Sequence, residues 1–414
     1  MKKILFCTST LKTGRGGIAS YAQDFIRTFK NDYDFTVITG DDGEVEDSNI
    51  KVIRISSKDR SDKNIKLLLD VIVAEKPDIV INSAYSPLSI ATPYVPDDVK
   101  IITISHFTDD DVAKRAGLNG NYVDTMVSLS TFAKSFLERY SKVRDKDKVK
   151  VVYNFMPQKE KTEIDEKRQA KVLNIVYPGG STYQKSADVV CKAILKLLKT
   201  NLDFNLYWIG DVNIVGGNLP MSRTKSLHDV LPNDSRIKQL GSVPRETAQL
   251  ILAKTNVFLL PSRGEGFPIS LIEAMRGCCI PIISDAPHGA LDLIKNGKNG
   301  FIVKQGSAKD LYNCLVSIIK NHKNLEGIYQ ESYNTFLSYL TECQWRIKMK
   351  EIIETNNNHQ TRLSIDNNKS LLKWGKAKMK TAELIIMIQD RLYRQPSMMI
   401  KFRYYKYFFK HLLK

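Results

Sequence analysis

The 414-residue sequence predicts an α/β protein of two doubly wound, Rossmann-like domains with a C-terminal helical extension. Three observations predict it. Apolar runs of strand length alternate with helical patterns, as in a parallel sheet covered on both faces. The alternation stops at a charged stretch, 158–171, and then restarts. The chain is also longer than one ordinary hydrophobic core supports.

In the first cycle, strands are expected at 3–8, 35–39, 51–55, 78–82, 100–105, 125–128 and 149–153, with helices near 17–30, 62–75 and 131–140. The opening apolar run, Met1 to Cys7, ends at Thr8-Ser9-Thr10. That is short of the ~7–15 residues of a signal-peptide core, so it reads as a first strand. The second cycle opens with Val172–Tyr177, ending in Pro178-Gly179-Gly180. A helix is expected at 185–199, then strands near 204–209, 236–240, 256–260, 279–283 and 300–303, and helices at 245–254, 268–277, 289–296 and 308–321. The expected organisation is a first domain over 1–157, a second over 170–340, a helix over 341–356 following the second sheet, and a linker and tail over 357–414. The stretch Thr355–Ser370 is polar and Asn-rich and reads as linker; the tail reads as two helices broken at Pro396.

Apolar content of 43% and charged content of 26% fit a water-soluble globular protein. No apolar run approaches the ~20 residues of a membrane span. The six cysteines include no C-x-x-C and no metal spacing, and most sit in apolar segments as buried thiols, which points to the cytoplasm. The net charge of +17 is uneven. Residues 361–414 hold thirteen Lys/Arg against three Asp/Glu, which points to an anionic partner there.

The most informative segment is Leu259-Leu260-Pro261-Ser262-Arg263-Gly264-Glu265-Gly266-Phe267-Pro268-Ile269-Ser270-Leu271-Ile272-Glu273-Ala274-Met275. A buried strand ends at Pro261, a glycine-flanked loop carries Glu265, and Pro268 suits the first position of a helix. Ligands of open α/β sheets bind at the carboxyl ends of the strands. A helix start there offers N–H groups and partial positive charge to a diphosphate. Glu265 and Glu273 could then accept hydroxyls at two ends of one ligand. Taken alone, such a pair reads more simply as a loop carboxylate and a solvated helix residue.

With its surroundings, the segment resembles the retaining glycosyltransferases of family 4, which have the GT-B architecture and the E-x7-E motif. The resemblance runs over roughly residues 1–355. Gly241-Ser242-Val243-Pro244, Ser284-Asp285, Gly289 with Asp292, Asn296-Gly297-Lys298-Asn299-Gly300-Phe301 and the Gly210-Asp211 turn also fit it. It implies an acceptor-side first domain and a second domain that binds a nucleotide-sugar donor. Glu265 would contact the donor sugar, Glu273 would hold the nucleotide ribose, and Lys185 would balance the leaving diphosphate. Gly266, Phe267, Pro268 and Ile269 would line the donor site. It implies no metal and no cofactor, the nucleotide sugar being a substrate. The acceptor would be a glycan or a lipid-linked acceptor in cell-envelope synthesis.

The sequence departs from that pattern at two positions. Gly180 stands where an arginine is usual, and Ser186 replaces a glycine after Lys185. One expected cation at the diphosphate is thus missing, with Arg263 and Arg15 as candidates to replace it. This departure motivates a rival reading, a non-catalytic nucleotide-sugar-binding partner of another transferase.

In the first domain, Thr13-Gly14-Arg15-Gly16-Gly17-Ile18-Ala19-Ser20 is a glycine-rich loop opening a helix. Gly14-x-Gly16-x-x-Ala19 formally matches a dinucleotide fingerprint, with Asp41 and Asp42 near the distance of a ribose-binding acid, so an NAD-dependent oxidoreductase is a second rival. It fails on spacing, because Thr8–Thr13 intervene between strand and loop. The resemblance instead assigns Gly16 and Gly17 to close backbone approach to the donor phosphate. It also places His106, after Lys100–Ser105, near the transferred sugar, although a lone histidine there also suits a structural role. Asp109-Asp110-Asp111 reads as a turn or acceptor-side loop, and Asn154 as part of the hinge.

The tail from Met398 to Lys414 interleaves aromatic and basic residues. Such a pattern suits an anionic membrane surface, and equally a terminal helix packed on the protein or at a dimer interface. No nucleic-acid-binding module is recognisable, and nucleic acid is not an expected partner. The expected location is cytoplasmic, with peripheral attachment to the inner face of the membrane.

Overall fold

The computed structural model of the chain describes residues 1–12, 17–106, 116–140, 143, 145–158, 167, 172–180, 184–210, 231–286, 288–356, 361–363, 373, 375–377 and 380. It divides into two compact units. Unit 1 comprises Met1–Phe155 with Glu342–Ile385, and Met156–Thr341 falls in unit 2. The glycine-loop residues 13–16, the acidic run 109–111, Asp211 and the basic-aromatic tail lie outside the described residues.

Unit 1 carries a seven-stranded parallel sheet: β1 (Lys3–Thr8), β2 (Asp34–Thr39), β3 (Lys51–Arg54), β4 (Ile79–Ser83), β5 (Lys100–Ser105), β6 (Thr125–Ser128) and β7 (Val149–Val151), in the order β3-β2-β1-β4-β5-β6-β7. The central strands are continuous apolar runs because both faces are covered; every residue of β5 is buried. Helix α1 (Gly17–Phe29) buries Ala19, Tyr21, Ala22, Phe25, Ile26 and Phe29, a stripe of helical spacing. Helix α2 (Asp62–Glu75) starts at Ser61, whose side chain accepts from the Asn64 N–H. Helix α3 (Ser86–Ala91) was not expected, since six residues are too few to show a period; Pro87 in its first turn starts it. Helix α4 spans Thr131–Tyr140.

Unit 2 carries β8 (Leu173–Tyr177), β9 (Phe204–Ile209), β10 (Ile237–Gly241), β11 (Val257–Leu260), β12 (Ile280–Ser284) and β13 (Phe301–Val303), all parallel, in the order β10-β9-β8-β11-β12-β13. Its helices are α5 (Ala187–Leu197), α6 (Arg245–Ala253), α7 (Ile269–Arg276), α8 (Ala308–Lys320) and α9 (Glu326–Tyr339). Helix α9 was not expected, although Tyr329, Tyr333 and Phe336 form its buried stripe. The helix expected at 289–296 is instead one 3₁₀ turn, Gly289–Asp292. The buried Asn299 side chain accepts from the Lys295 N–H at 2.7 Å and donates to the Leu293 carbonyl at 2.9 Å, taking the groups that another helical turn would use. The charged boundary stretch also contains a buried residue. The Lys167 ammonium donates to the carbonyls of Leu252, Thr255 and Gly277, closing the ends of α6 and α7.

The chain then returns to unit 1. Helix α10 (Glu342–Glu354) follows the second sheet in sequence but packs on the first unit. Trp345 stacks on Phe155 with ring centres 4.1 Å apart and meets Phe25 and Phe29 at 5.4 Å each. The buried Lys100 ammonium donates to the Ile352 carbonyl at 2.6 Å and to that of Ile353 at 3.2 Å, neutralising the carbonyl end of this helix.

The reading of Thr355–Ser370 as linker is corrected at its centre. Arg362 is buried, pairs with buried Asp124 at 3.3 Å, and donates to the Pro96 carbonyl at 2.5 Å and that of Val99 at 2.7 Å. A local polar composition conceals this anchor, because the partners lie more than 230 residues earlier.

Both sheets share one topology. Chain order reverses between β1 and β4 in unit 1 and between β8 and β11 in unit 2. Ligands of such sheets bind in the crevice that this reversal opens at the carboxyl ends.

Candidate active site

In unit 2 the reversal separates the loop after β8 from the loop after β11, and the first carries Lys185, the second Glu265. The structure brings them together: the Lys185 ammonium donates to the Glu265 Oε1 at 2.5 Å. Glu265 is the more enclosed of the two, with 11% of its side chain exposed against 33% for Lys185. Three further bonds lock the loops. Tyr177 donates its hydroxyl to the Lys185 carbonyl at 2.9 Å, the Arg263 N–H donates to the Gln184 carbonyl at 2.7 Å, and the Gln184 side chain donates to the Gly264 carbonyl at 3.0 Å.

Pro268 is the residue before α7, one position earlier than expected for a first helical residue; the helix opens at Ile269. Glu273 lies half-buried within α7, where the Gln249 side chain donates to it at 3.4 Å. Phe267 is buried, and the Gly266 carbonyl accepts from the Gly289 N–H at 2.9 Å, which ties this loop to the one after β12. The site therefore combines a cation, a carboxylate, a helix start and a second carboxylate along one edge of the sheet.

The two departures from the expected pattern both fall at left-handed backbone positions. Gly180 has φ +59° and Gly210 φ +106°; a Cβ on Gly210 would stand 2.7 Å from the Gly180 Cα. The turns after β8 and β9 approach so closely that Gly210 has no room for a side chain, while Gly180 takes the left-handed conformation that glycine adopts without strain. Ser186 also adopts a left-handed conformation, φ 61°, before α5. Its hydroxyl compensates by accepting from Arg263 at 3.1 Å. Arg263 is otherwise committed to Asp188, to which it donates two parallel bonds of 2.9 Å. Sequence reasoning missed Asp188; its only signal was an acid in the first turn of a helix.

A second residue that went unnoticed is His288. It forms a lone parallel bridge with Glu265, is fully buried, and its Nδ1 has no hydrogen-bond partner among the described residues. Burial pushes its basicity down, with the Glu265 charge opposing.

In unit 1, His106 follows β5 at the carboxyl edge. Its Nε2 lies 2.9 Å from the Ser83 Oγ at the end of β4, and Tyr21 meets the ring edge-on at 4.9 Å. Burial lowers its pKa to about 4, so the ring is neutral at pH 7. Gly17 opens α1; Gly16 lies outside the described residues. Asp41 has a different task from the one a dinucleotide site requires. It accepts from the Thr10 hydroxyl at 2.5 Å and from the N–H groups of Leu11 and Gly43 at 3.1 Å each, so it shapes the entrance to the glycine loop. Burial works to raise its pKa, but these bonds and one from Thr39 outweigh it and hold the pKa at about 2.

Comparison with known proteins agrees with this geometry. The family model of glycosyl transferases group 1 matches residues 158–335, and that of glycosyltransferase family 4 matches residues 15–158. The two matches run end to end and place the chain in the group 1 glycosyltransferase family of GT-B architecture. A relative from Methanocaldococcus jannaschii, described as an uncharacterized glycosyltransferase, is 27% identical over 256 residues, which is 60% of this chain. The match spans 61% of that relative, less than two thirds of its length. Anabaena HepE, solved in complex with UDP-glucose, superposes with a TM-score of 0.68 at 17% identity, covering 85% of this chain and 99% of that one. The lipopolysaccharide outer core galactosyltransferase WaaB superposes with a TM-score of 0.64 at 21% identity, covering 85% and 99%.

Proposed function

We propose that the chain is a retaining glycosyltransferase of family 4 that moves a hexosyl or N-acetylhexosaminyl group from a nucleoside-diphosphate sugar to a glycan or lipid-linked acceptor in cell-envelope synthesis. The Lys185–Glu265 pair at the reversal of the second sheet carries this reading. Within this pair each charge neutralises the other. A bound diphosphate competes for the ammonium, and the carboxylate is then released to accept sugar hydroxyls. The amide end of α7 adds positive potential beside the phosphates, and Glu273, about one turn along, takes the ribose hydroxyls. Preorganised charge of this kind stabilises a departing diphosphate. In the transfer, the bond from the anomeric carbon to the diphosphate oxygen breaks and a bond to the acceptor oxygen forms on the same face. The acceptor proton goes to a leaving phosphate oxygen. No metal is assigned a part, and the nucleotide sugar is a substrate rather than a resident cofactor.

The UDP-glucose complex of HepE supports a nucleotide-sugar donor, and the description of WaaB supports an envelope acceptor. The basic tail would hold the enzyme at an anionic membrane surface. A thermal-shift panel of UDP-, GDP- and other nucleotide sugars tests the reading, since a bound donor raises the unfolding temperature by mass action. Absence of any shift across the panel would overturn it. Gly180, standing where an arginine is usual, favours one second reading, a non-catalytic donor-binding partner. Donor binding without slow release of nucleoside diphosphate would select that reading.

A further inference from the structure

His288 is an unexplained residue at this site. It sits on the loop after β12, next to Gly289, whose N–H binds the Gly266 carbonyl. Its bridge to Glu265 places the two residues side by side in parallel register, where paired side chains leave the backbone on the same side. The ring is enclosed; Nε2 lies 3.4 Å from the Ser284 Oγ, the Ser284 and His288 backbone groups lie beside the ring, and Nδ1 makes no hydrogen bond among the described residues.

That contact determines which nitrogen carries the proton. The Ser284 hydroxyl hydrogen is already donated to the Ser262 carbonyl at 2.5 Å. Ser284 can therefore only accept from the histidine, which favours the tautomer with its hydrogen on Nε2 and its lone pair on Nδ1. A buried acceptor without a donor is costly, and native proteins rarely keep one without a use. The missing group must be a hydrogen-bond donor, it must come from outside the described residues, and it must approach beside the Glu265 carboxylate.

We propose that His288 is a donor-sugar recognition residue, its Nδ1 accepting a hydroxyl hydrogen from the transferred hexose next to the hydroxyl taken by Glu265. This rests on the glycosyl-transfer reading and adds a specificity determinant to it. Two acceptors held side by side match the adjacent hydroxyls of a pyranose ring, and they select against a donor lacking one of them. Lys185 donates to Glu265, and the Nδ1 atom is enclosed. When the diphosphate takes Lys185, the wall beside Glu265 opens and the sugar reaches both acceptors. An unmet acceptor left by a deoxygenated sugar is the kind of mismatch that yields strong discrimination.

The test is a cycle between protein and ligand. Wild-type chain, His288→Ala, His288→Asn and His288→Gln are assayed for nucleotide release from the UDP- or GDP-hexose that the wild type uses, and from its 3-deoxy and 4-deoxy analogues. Calorimetry with the free nucleoside diphosphate serves as a control for folding and for the nucleotide subsite. The expected result is a kcat/KM for the parent hexose at least tenfold lower in His288→Ala, with diphosphate affinity unchanged within twofold. One deoxy analogue should be at least tenfold poorer for the wild type but no poorer than the parent for His288→Ala, because the two deletions remove the same contact. Asparagine places an oxygen near the Nδ1 position and should restore activity; glutamine, which mimics Nε2, should not. Additive losses in the cycle, rescue by glutamine but not asparagine, or wild-type behaviour of all variants would overturn the proposal. A wild-type chain that uses no nucleotide sugar ends the glycosyl-transfer reading itself, before any variant is compared.

Discussion

Arg263 faces Asp188 as a two-pronged fork, both N–H···O distances 2.9 Å, and donates a third bond to Ser186. Its charge is therefore matched inside the loop scaffold, which leaves Lys185 as the cation paired with Glu265. Lys185→Ala should lose most transfer activity, at least a hundredfold in kcat, on the scale of removing one preorganised electrostatic group. Turnover near wild type under saturating donor would show that the diphosphate charge is met elsewhere.

The two glutamates should separate kinetically. Glu273→Ala is expected to weaken nucleoside-diphosphate binding by ~1.5–3 kcal/mol, the value of a hydrogen bond to a charged group. Glu265→Ala should chiefly lower turnover. Calorimetric titration of each variant distinguishes them, and an unaltered affinity in Glu273→Ala would remove its ribose role.

Ser186 allows a test of backbone strain. Its left-handed conformation costs a non-glycine residue ~1 kcal/mol or more. Ser186→Ala keeps that strain and also loses the Arg263 bond. Ser186→Gly loses the bond but relieves the strain. In urea unfolding the glycine variant should therefore be the more stable of the two by about 1 kcal/mol, and the opposite order would exclude a strained turn here.

Acid should weaken unit 1 in two steps. His106 has a folded pKa of about 4, below its ordinary 6.5, so the unfolded chain takes up protons first and stability falls as pH drops from about 6.5 to 4. Asp41 has a folded pKa of about 2, below its ordinary 3.8, so its contribution is present above 3.8 and is lost as pH falls toward 2. With solvent screening, the Asp41 share is on the order of 1 kcal/mol. Stability measured against pH for the wild type and Asp41→Asn should converge at the acid end. A constant gap down to pH 2 would mean that Asp41 acts through packing and not through its charge.

Arg362 divides the C-terminal region into a structural part and a dispensable part. Arg362→Ala leaves Asp124 buried without its cation, a loss of ~3–5 kcal/mol. A chain ending before Arg362 should be similarly damaged. A chain ending at residue 385 should stay folded and active but lose co-sedimentation with anionic vesicles. Equal vesicle binding by full-length and shortened chains would eliminate the membrane role of the tail.

The parts of this architecture that were legible in the sequence follow from periodicity and local chemistry. Strands such as Lys100–Ser105 and Phe204–Ile209 are apolar runs that only a covered parallel sheet explains, and the Glu265-to-Glu273 spacing is a local pattern. What was not legible depends on distant partners. Arg362 meets Asp124, Trp345 meets Phe25 and Phe155, and His288 meets Glu265, none of which local composition reveals. The glycine-for-arginine exchange at position 180 was visible, but the close approach of Gly210 to it was not, because the two turns lie thirty residues apart.

The placement of α10 has a consequence for biosynthesis. The face of α1 that carries Phe25 and Phe29 receives Trp345 only after the whole of Met156–Thr341 has been translated. At ~5–20 residues per second, the nascent first sheet waits roughly 10–40 s for α10. During that interval an aromatic surface is open to water and to neighbouring chains, while Met156–Thr341 is already emerging as a contiguous folding unit. A chain stalled before residue 342 lacks Trp345, so the unit that is synthesised first completes its aromatic core after Met156–Thr341 has been made.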